Sequence, residues 1–231
     1  MRAVFVVVRI LGAAAIICAV AGQLATSLRY WASAGVADPS VQLANFFSFF
    51  TIDSNLLAML ALAAGAAFLI GGRRTDSRWF AVFRLSVTSY MTVTLLVYNV
   101  LLRSIELPQG ATLAWSNEIL HVAAPLLVIF DWLCAPGRRR LPWTAIWSVI
   151  AFPLAWSIYT MIRGPLTHDV IAGTDHWYPY PFLNPELGSG GYLTVALYIV
   201  AIALLIGGVA AAAVWVSRRG RWPLPATRAA R

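Results

Sequence analysis

Six stretches of this chain, at about 10–28, 46–70, 82–102, 116–134, 142–162 and 191–216, stay apolar over the roughly 20 residues that a helix needs to cross a bilayer core. That pattern excludes most architectures. Hydrocarbon offers backbone amides no partners, so a spanning segment must be a helix or part of a closed barrel. The runs are continuous and do not alternate, which leaves helices. The expected fold is all-α: a polytopic membrane protein, one integral domain over 1–231, built as a bundle of six transmembrane helices with an outer loop at 163–190 and a tail at 217–231. Composition agrees, since 60% of the residues are hydrophobic and only 11% charged, against about 25% charged in a soluble domain.

Arginine predicts the orientation. The chain has no lysine, and all 17 positive side chains are Arg. Arg2, Arg9, Arg73, Arg74, Arg78, Arg84, Arg138, Arg139, Arg140, Arg218, Arg219, Arg221, Arg228 and Arg231 fall at one side of the expected bundle, and only Arg29, Arg103 and Arg163 at the other. By the positive-inside rule both termini are then cytoplasmic. The acids Asp38, Glu106, Asp169, Asp175 and Glu186 fall in the outer loops, and Asp76 in an inner one. The net charge of +8 therefore reports topology and anionic lipid headgroups, with no nucleic-acid patch. Arg2 and Arg9 before an apolar run also fit a cleavable signal peptide, but the run continues to about Leu28, which favours an uncleaved first span. An arginine-only, alanine-rich composition suits a bacterium with GC-rich DNA and hence the plasma membrane.

Several chemistries are excluded by what is missing. A retinal Schiff base needs a lysine, haem carriers need paired intramembrane histidines, and nucleotide-binding glycine motifs are absent. No cofactor and no nucleotide is expected. Cys18 and Cys134 fall at different depths and form no CxxC pair.

The polar residues inside the spans are few and concentrated near one surface. His121 is the only histidine in a membrane-length apolar run, and by counting it lies about five residues, roughly 7 Å, inside the outer end of its helix, the same depth as Thr51. Ionisable groups are costly in hydrocarbon, so an intramembrane histidine is a functional candidate. Asp53, Asn55, Asn99, Asn117 and Glu118 fall in the same outer third. Ser48, Thr51 and Asn55 recur at helical spacing, and so do Asn117 and His121. A hydroxyl, a neutral imidazole and a group to orient it are the parts of nucleophilic acyl transfer. The assignment is Thr51 as nucleophile and His121 as base. Asn117, Glu118 or Asp53 would orient the ring, and Asn55 and Asn99 would serve as oxyanion donors. The plainer alternative is that these groups only pair helices with one another, with Ser116 and Glu118 capping the fourth span.

In the outer loop, His176-Trp177-Tyr178-Pro179-Tyr180-Pro181-Phe182-Leu183 places Trp177, Tyr178, Tyr180 and Phe182 on a strap stiffened by two X-Pro steps. It reads either as an interfacial aromatic belt or as a lid over a cavity. His168 and His176, with Asp169 and Asp175, are weak metal candidates because their spacing matches no standard zinc motif. Asp131 is expected to pair with Arg84 or with Arg138 to Arg140.

The segments FFTIDSNLL in the second span, NEILHVAAPLLVIFDW in the fourth, and RGPL followed by WYPYPFL before the sixth resemble the bacterial branch of the androgen-induced protein family, the Pr-six-Pr membrane proteins. That family also includes the androgen-dependent TFPI-regulating protein. The resemblance runs over about residues 10–216. Animal members are intramembrane threonine hydrolases of fatty acid esters of hydroxy fatty acids, and motif by motif their threonine falls on Thr51 and their histidine on His121. The resemblance thus implies a cofactor-independent intramembrane lipid ester hydrolase whose partners are membrane lipids. Ile52-Asp53-Ser54-Asn55 after the threonine, and the 168–176 stretch, depart from the animal pattern. The alternatives are a non-enzymatic lipid or small-molecule carrier and a metal-dependent hydrolase using His121, His168 and His176.

Overall fold

The computed structural model describes residues 1–105 and 112–219; Glu106, Arg221, Arg228 and Arg231 lie outside the described residues. Among the described residues, the six helices long and apolar enough to cross a membrane run over Arg2–Ser33, Phe50–Ile70, Arg78–Leu102, Ala114–Cys134, Ala145–Leu166 and Tyr192–Arg219. The chain is therefore a multi-pass, all-α membrane protein. The elements in order are α1 (Arg2–Ser33), a short α2 (Ser40–Phe46), α3 (Phe50–Ile70) and α4 (Arg78–Val97), which ends in a π turn at Tyr98–Leu102. They continue as α5 (Ala114–Glu118), a π turn at Ile119–Ala123, α6 (Ala124–Cys134), α7 (Ala145–Arg163) and α8 (Tyr192–Arg219). The α4 helix is central and packs against α3, α6, α7 and α8, while α1 lies against α3 and the α5–α6 span.

Two boundaries differ from the hydropathy reading. The first helix starts at Arg2 because that side chain donates to the carbonyl of Leu69 from Nε (3.1 Å) and Nη2 (2.8 Å), and to that of Arg73 (2.8 Å). A charged residue thus closes the unpaired end of α3 instead of ending its own helix. The expected second span at 46–70 is really two pieces. Phe49 is extended (ψ 125°), α3 begins at Phe50, and Ser48 stands outside the helix with its hydroxyl on the carbonyl of Ala44 (2.6 Å). Ser48 consequently does not share a helical face with Thr51 and Asn55.

The end of the bundle that holds the arginine-rich loops is joined by buried charges. Asp131 on α6 accepts from Arg9 of α1 through both carboxylate oxygens (2.7 and 3.1 Å), and from Arg84 of α4 (2.8 Å). Arg84 also donates to Asp76 (2.5 Å) in the α3–α4 loop, and Arg9 to the carbonyl of Gly65 on α3 (2.8 Å). A Cβ on Gly65 would stand 2.7 Å from the Arg9 guanidinium, so glycine is what admits that side chain. Two arginines and two aspartates leave no net charge, the condition under which ions persist in an apolar interior. Arg84 is an expected partner of Asp131, but Arg9 is not, and Arg138 instead caps α6 through the carbonyls of Trp132 (2.8 Å) and Leu133 (3.1 Å).

Removing one member of this cluster leaves an unpaired buried ion. Asp131→Asn is expected to cost about 3 kcal/mol or more of stability, read as a lower midpoint of thermal or SDS-induced unfolding in detergent.

Candidate active site

The opposite end of the bundle gathers the neutral polar residues. Thr51 is the second residue of α3, and its N–H has no helical acceptor because the first turn of any helix leaves its amides open. That N–H donates to the phenol of Tyr180 (3.2 Å). The Thr51 hydroxyl lies between two groups, His121 Nε2 at 3.3 Å and Tyr180 OH at 3.2 Å. Thr51 and His121 are each 8% exposed.

His121 stands in the π turn of the fourth span, where the Ala124 N–H bonds five residues back to Ile119. Pro125 follows directly and cannot donate to the His121 carbonyl, so the ladder is interrupted just where the imidazole projects. Its Nδ1 lies 3.0 Å from the Asn117 carbonyl. A carbonyl can only accept, so Nδ1 carries the proton and the neutral ring presents the Nε2 lone pair to Thr51. Tyr98, in the π turn of α4, stacks on the imidazole (centroids 4.0 Å apart, 25° between planes) and accepts from Asn117 Nδ2 (2.5 Å). Two wide turns on facing helices therefore meet at the level of the pair.

The helices bring together Thr51, His121, Asn117 and Asn55 from the sequence-derived set, in roles that differ from those expected. Asn55 is fully buried and donates to the carbonyls of Thr51 (2.9 Å) and Leu120 (3.0 Å), which ties α3 to the π turn and spends both of its N–H groups. It is a clasp, not an oxyanion donor. Asn99 is exposed and pairs with the Leu95 carbonyl (2.8 Å) and with Arg103, so it supplies no oxyanion donor either. Glu118 is half-exposed and paired with Arg103 (2.5 Å), and the ring is oriented by a backbone carbonyl instead. Ser116 does not cap its helix; its hydroxyl crosses to the Ala19 carbonyl on α1 (2.7 Å). Asp53 is partly exposed in the first turn of α3, where a negative charge suits the helix dipole, and it makes no hydrogen bond to His121. Thr51 is also shallower in its helix than counting suggests, since the true start is Phe50.

The strap before α8 packs inward. Trp177 is 4% exposed, sits edge-on to Phe49 (5.5 Å) and lies under the Arg163 guanidinium (5.4 Å), while its N–H bonds the Gly164 carbonyl (3.0 Å). The Tyr178 ring occupies the space where a Cβ on Gly164 would be. Burial pushes the phenols of Tyr178 and Tyr180 up to about 12, so both stay protonated near neutral pH. Tyr180 stacks on Phe182 (5.3 Å, 8° between planes) and is the member of the strap that touches Thr51. Spacing could not single it out, because two X-Pro steps leave the direction of each ring to tertiary packing. His168 pairs with Asp175 (3.0 Å), and His176 with Asn184 (3.2 Å) and Glu186 (3.3 Å). Among the described residues no three such side chains converge on a metal position.

Beneath the strap lies a narrow cavity of about 100 Å³ between α3, α4, α7 and α8. Thr51, His121, Tyr98 and Tyr180 form its polar end; Val93, Ile150, Leu154, Ile202, Ala203 and Ile206 form much of its apolar length. Trp177 and Tyr178 do not line it.

No protein-family model, curated protein or solved structure matches the chain. What this multi-pass helical protein does is therefore read from its own side chains.

Docking of the strap depends on the flat side of Gly164. Gly164→Ala forces a methyl group against the Tyr178 ring and is expected to destabilise the protein by about 1–3 kcal/mol. A lower melting temperature, together with faster proteolysis between 163 and 191, is the expected measurement.

Proposed function

We propose that this protein is a cofactor-independent hydrolase of lipid esters, with Thr51 as nucleophile and His121 as general base. One observation carries the reading: the Thr51 hydroxyl lies 3.3 Å from an imidazole nitrogen whose lone pair is aimed at it by the Asn117 carbonyl. That distance is within the range for a nucleophile and base in an unliganded site, where such bonds shorten once substrate is bound. The resemblance to the androgen-induced protein family supports the same pair and the same class of reaction. The arginine distribution supports a bacterial plasma membrane with both termini cytoplasmic, which puts the site near the outer surface.

The reaction runs in two steps. Thr51 Oγ1 attacks the ester carbonyl carbon as its proton passes to His121 Nε2, and the carbonyl π pair moves onto oxygen. Collapse breaks the bond to the leaving alkoxide, which takes the proton from His121, and an acyl-Thr51 ester remains. Water then gives a proton to His121 and attacks that ester, releasing the acid and restoring the threonine hydroxyl. The cavity suits a substrate with its ester at the polar end and an alkyl chain among Val93, Ile150, Ile202 and Ile206.

A second reading, a non-enzymatic lipid carrier, draws on the nearly uniform apolar lining of the cavity. Covalent chemistry separates the two. With purified protein in detergent, a fluorophosphonate is expected to label Thr51, and Thr51→Ala and His121→Ala to abolish hydrolysis of p-nitrophenyl decanoate with little change in melting temperature. Retained hydrolysis in Thr51→Ala rules out Thr51 as the nucleophile, and a wild-type protein that binds lipid without hydrolysis or any adduct favours the carrier. Ala203→Trp, which fills the cavity below the pair, is expected to lower kcat/KM for the decanoate by about tenfold or more relative to the butyrate.

A further inference from the structure

We infer that Tyr180 is a third catalytic residue, the hydrogen-bond donor that stabilises the oxyanion formed when Thr51 attacks an ester. The inference rests on the hydrolase reading of the same site and assigns the one electrostatic role that Thr51 and His121 leave open.

The hydrogen-bond inventory of the Tyr180 hydroxyl leads there. Its oxygen accepts the N–H of Thr51 at 3.2 Å, and an amide can only donate. The phenolic proton must therefore point elsewhere, and its partner within reach is Thr51 Oγ1 at 3.2 Å. Thr51 Oγ1 in turn has His121 Nε2 on its other side, a lone pair that calls for the threonine proton. The donor directions are thus fixed: Tyr180 O–H to Thr51 Oγ1, and Thr51 O–H to His121. As Oγ1 bonds to the carbonyl carbon it gives up electron density and becomes a weaker acceptor for the Tyr180 O–H. The new oxyanion sits on the same tetrahedral carbon as Oγ1, so the freed O–H turns to it over a short arc. Tyr180 keeps its proton throughout and stabilises charge without transferring it.

The two asparagines that the sequence offers as oxyanion donors do not fill this role. The two N–H groups of Asn55 are held by carbonyls, and Asn99 is exposed. The phenol is also rigid: its ring stacks on Phe182 (5.3 Å), meets Phe49 edge-on (5.7 Å) and lies 6.1 Å from Trp156. With the ring held in place only the O–H has to rotate when charge appears, and a donor positioned in this way in a low-dielectric site contributes strongly to catalysis. Burial, by pushing the phenol up to about 12, keeps it in the donating form across the working pH range.

The test uses the full-length protein in detergent with p-nitrophenyl decanoate. Tyr180→Phe keeps the ring and removes only the hydroxyl; kcat is expected to fall by about 10² to 10³, with KM unchanged. Replacing Tyr180 by 3,5-difluorotyrosine keeps shape and donor but makes the phenol more acidic, so the alkaline loss of kcat moves to lower pH. A packing role would move neither the pH profile nor kcat alone. Wild-type kcat in Tyr180→Phe overturns the assignment. So does a fall in kcat accompanied by a lower melting temperature, with the fluorinated protein keeping the wild-type pH profile. If the wild-type protein shows no turnover that depends on Thr51, the hydrolase reading itself fails and takes this role with it. Turnover lost in Thr51→Ala but kept in Tyr180→Phe overturns only the role of Tyr180.

Discussion

The carboxylate of Asp131, shared by Arg9 and Arg84, is the interaction on which the arrangement of the helices most depends. An ion in a hydrocarbon-like interior is tolerated only when fully paired, and pairing here requires α1, α4 and α6 to meet at one depth, with Asp76 of the α3–α4 loop balancing the second arginine. Packing among apolar side chains is permissive about register, because a helix that slides by a turn still presents aliphatic surface to lipid or to its neighbours. A shared carboxylate is not permissive. It sets which turns of the first four spans face one another, and the other end of the bundle inherits that register.

At that other end, neutral groups meet. The hydroxyl of Thr51, the imidazole of His121 and the phenol of Tyr180 come from α3, the fourth span and the strap before α8, and each is oriented by backbone as much as by side chains. The first turn of α3 offers an open amide that holds the Tyr180 phenol, and the interrupted ladder before Pro125 sets the imidazole. Interruptions of regular helix, costly in a membrane unless their amides and carbonyls find partners, are thus where these three side chains meet, and the polar end of the cavity lies beside them.

How much of this was legible in the sequence varies with the physics. The six spans follow from hydrophobic runs, because the bilayer imposes a length and a composition that no local context overrides. Thr51 and His121 stood out because polar groups in such runs are rare. Their supporting groups were misjudged for a common reason. Depth along the span and capping position, which single out Glu118, Asn99 and Ser116, do not say which neighbouring helix, or water, each side chain faces. Asn55 was placed correctly in depth, but its partners, the carbonyls of Thr51 and Leu120, are backbone groups that no pattern of side chains reveals. Arg9 was treated as one more arginine of a flank, though Gly65 opposite it is what makes its burial possible.

The sequence alone determined that the chain is a bundle of membrane-crossing helices and that Thr51, His121 and the asparagines near them fall toward one end and most arginines toward the other, since hydropathy and charge act additively along the chain. Only the tertiary structure decided which of those residues touch. The phenol that reaches Thr51 and the aspartate that holds two arginines both depend on contacts between segments up to 129 residues apart. Contacts of that kind are selected by pairing every polar group at once, a condition that belongs to the whole fold and to no single stretch of it.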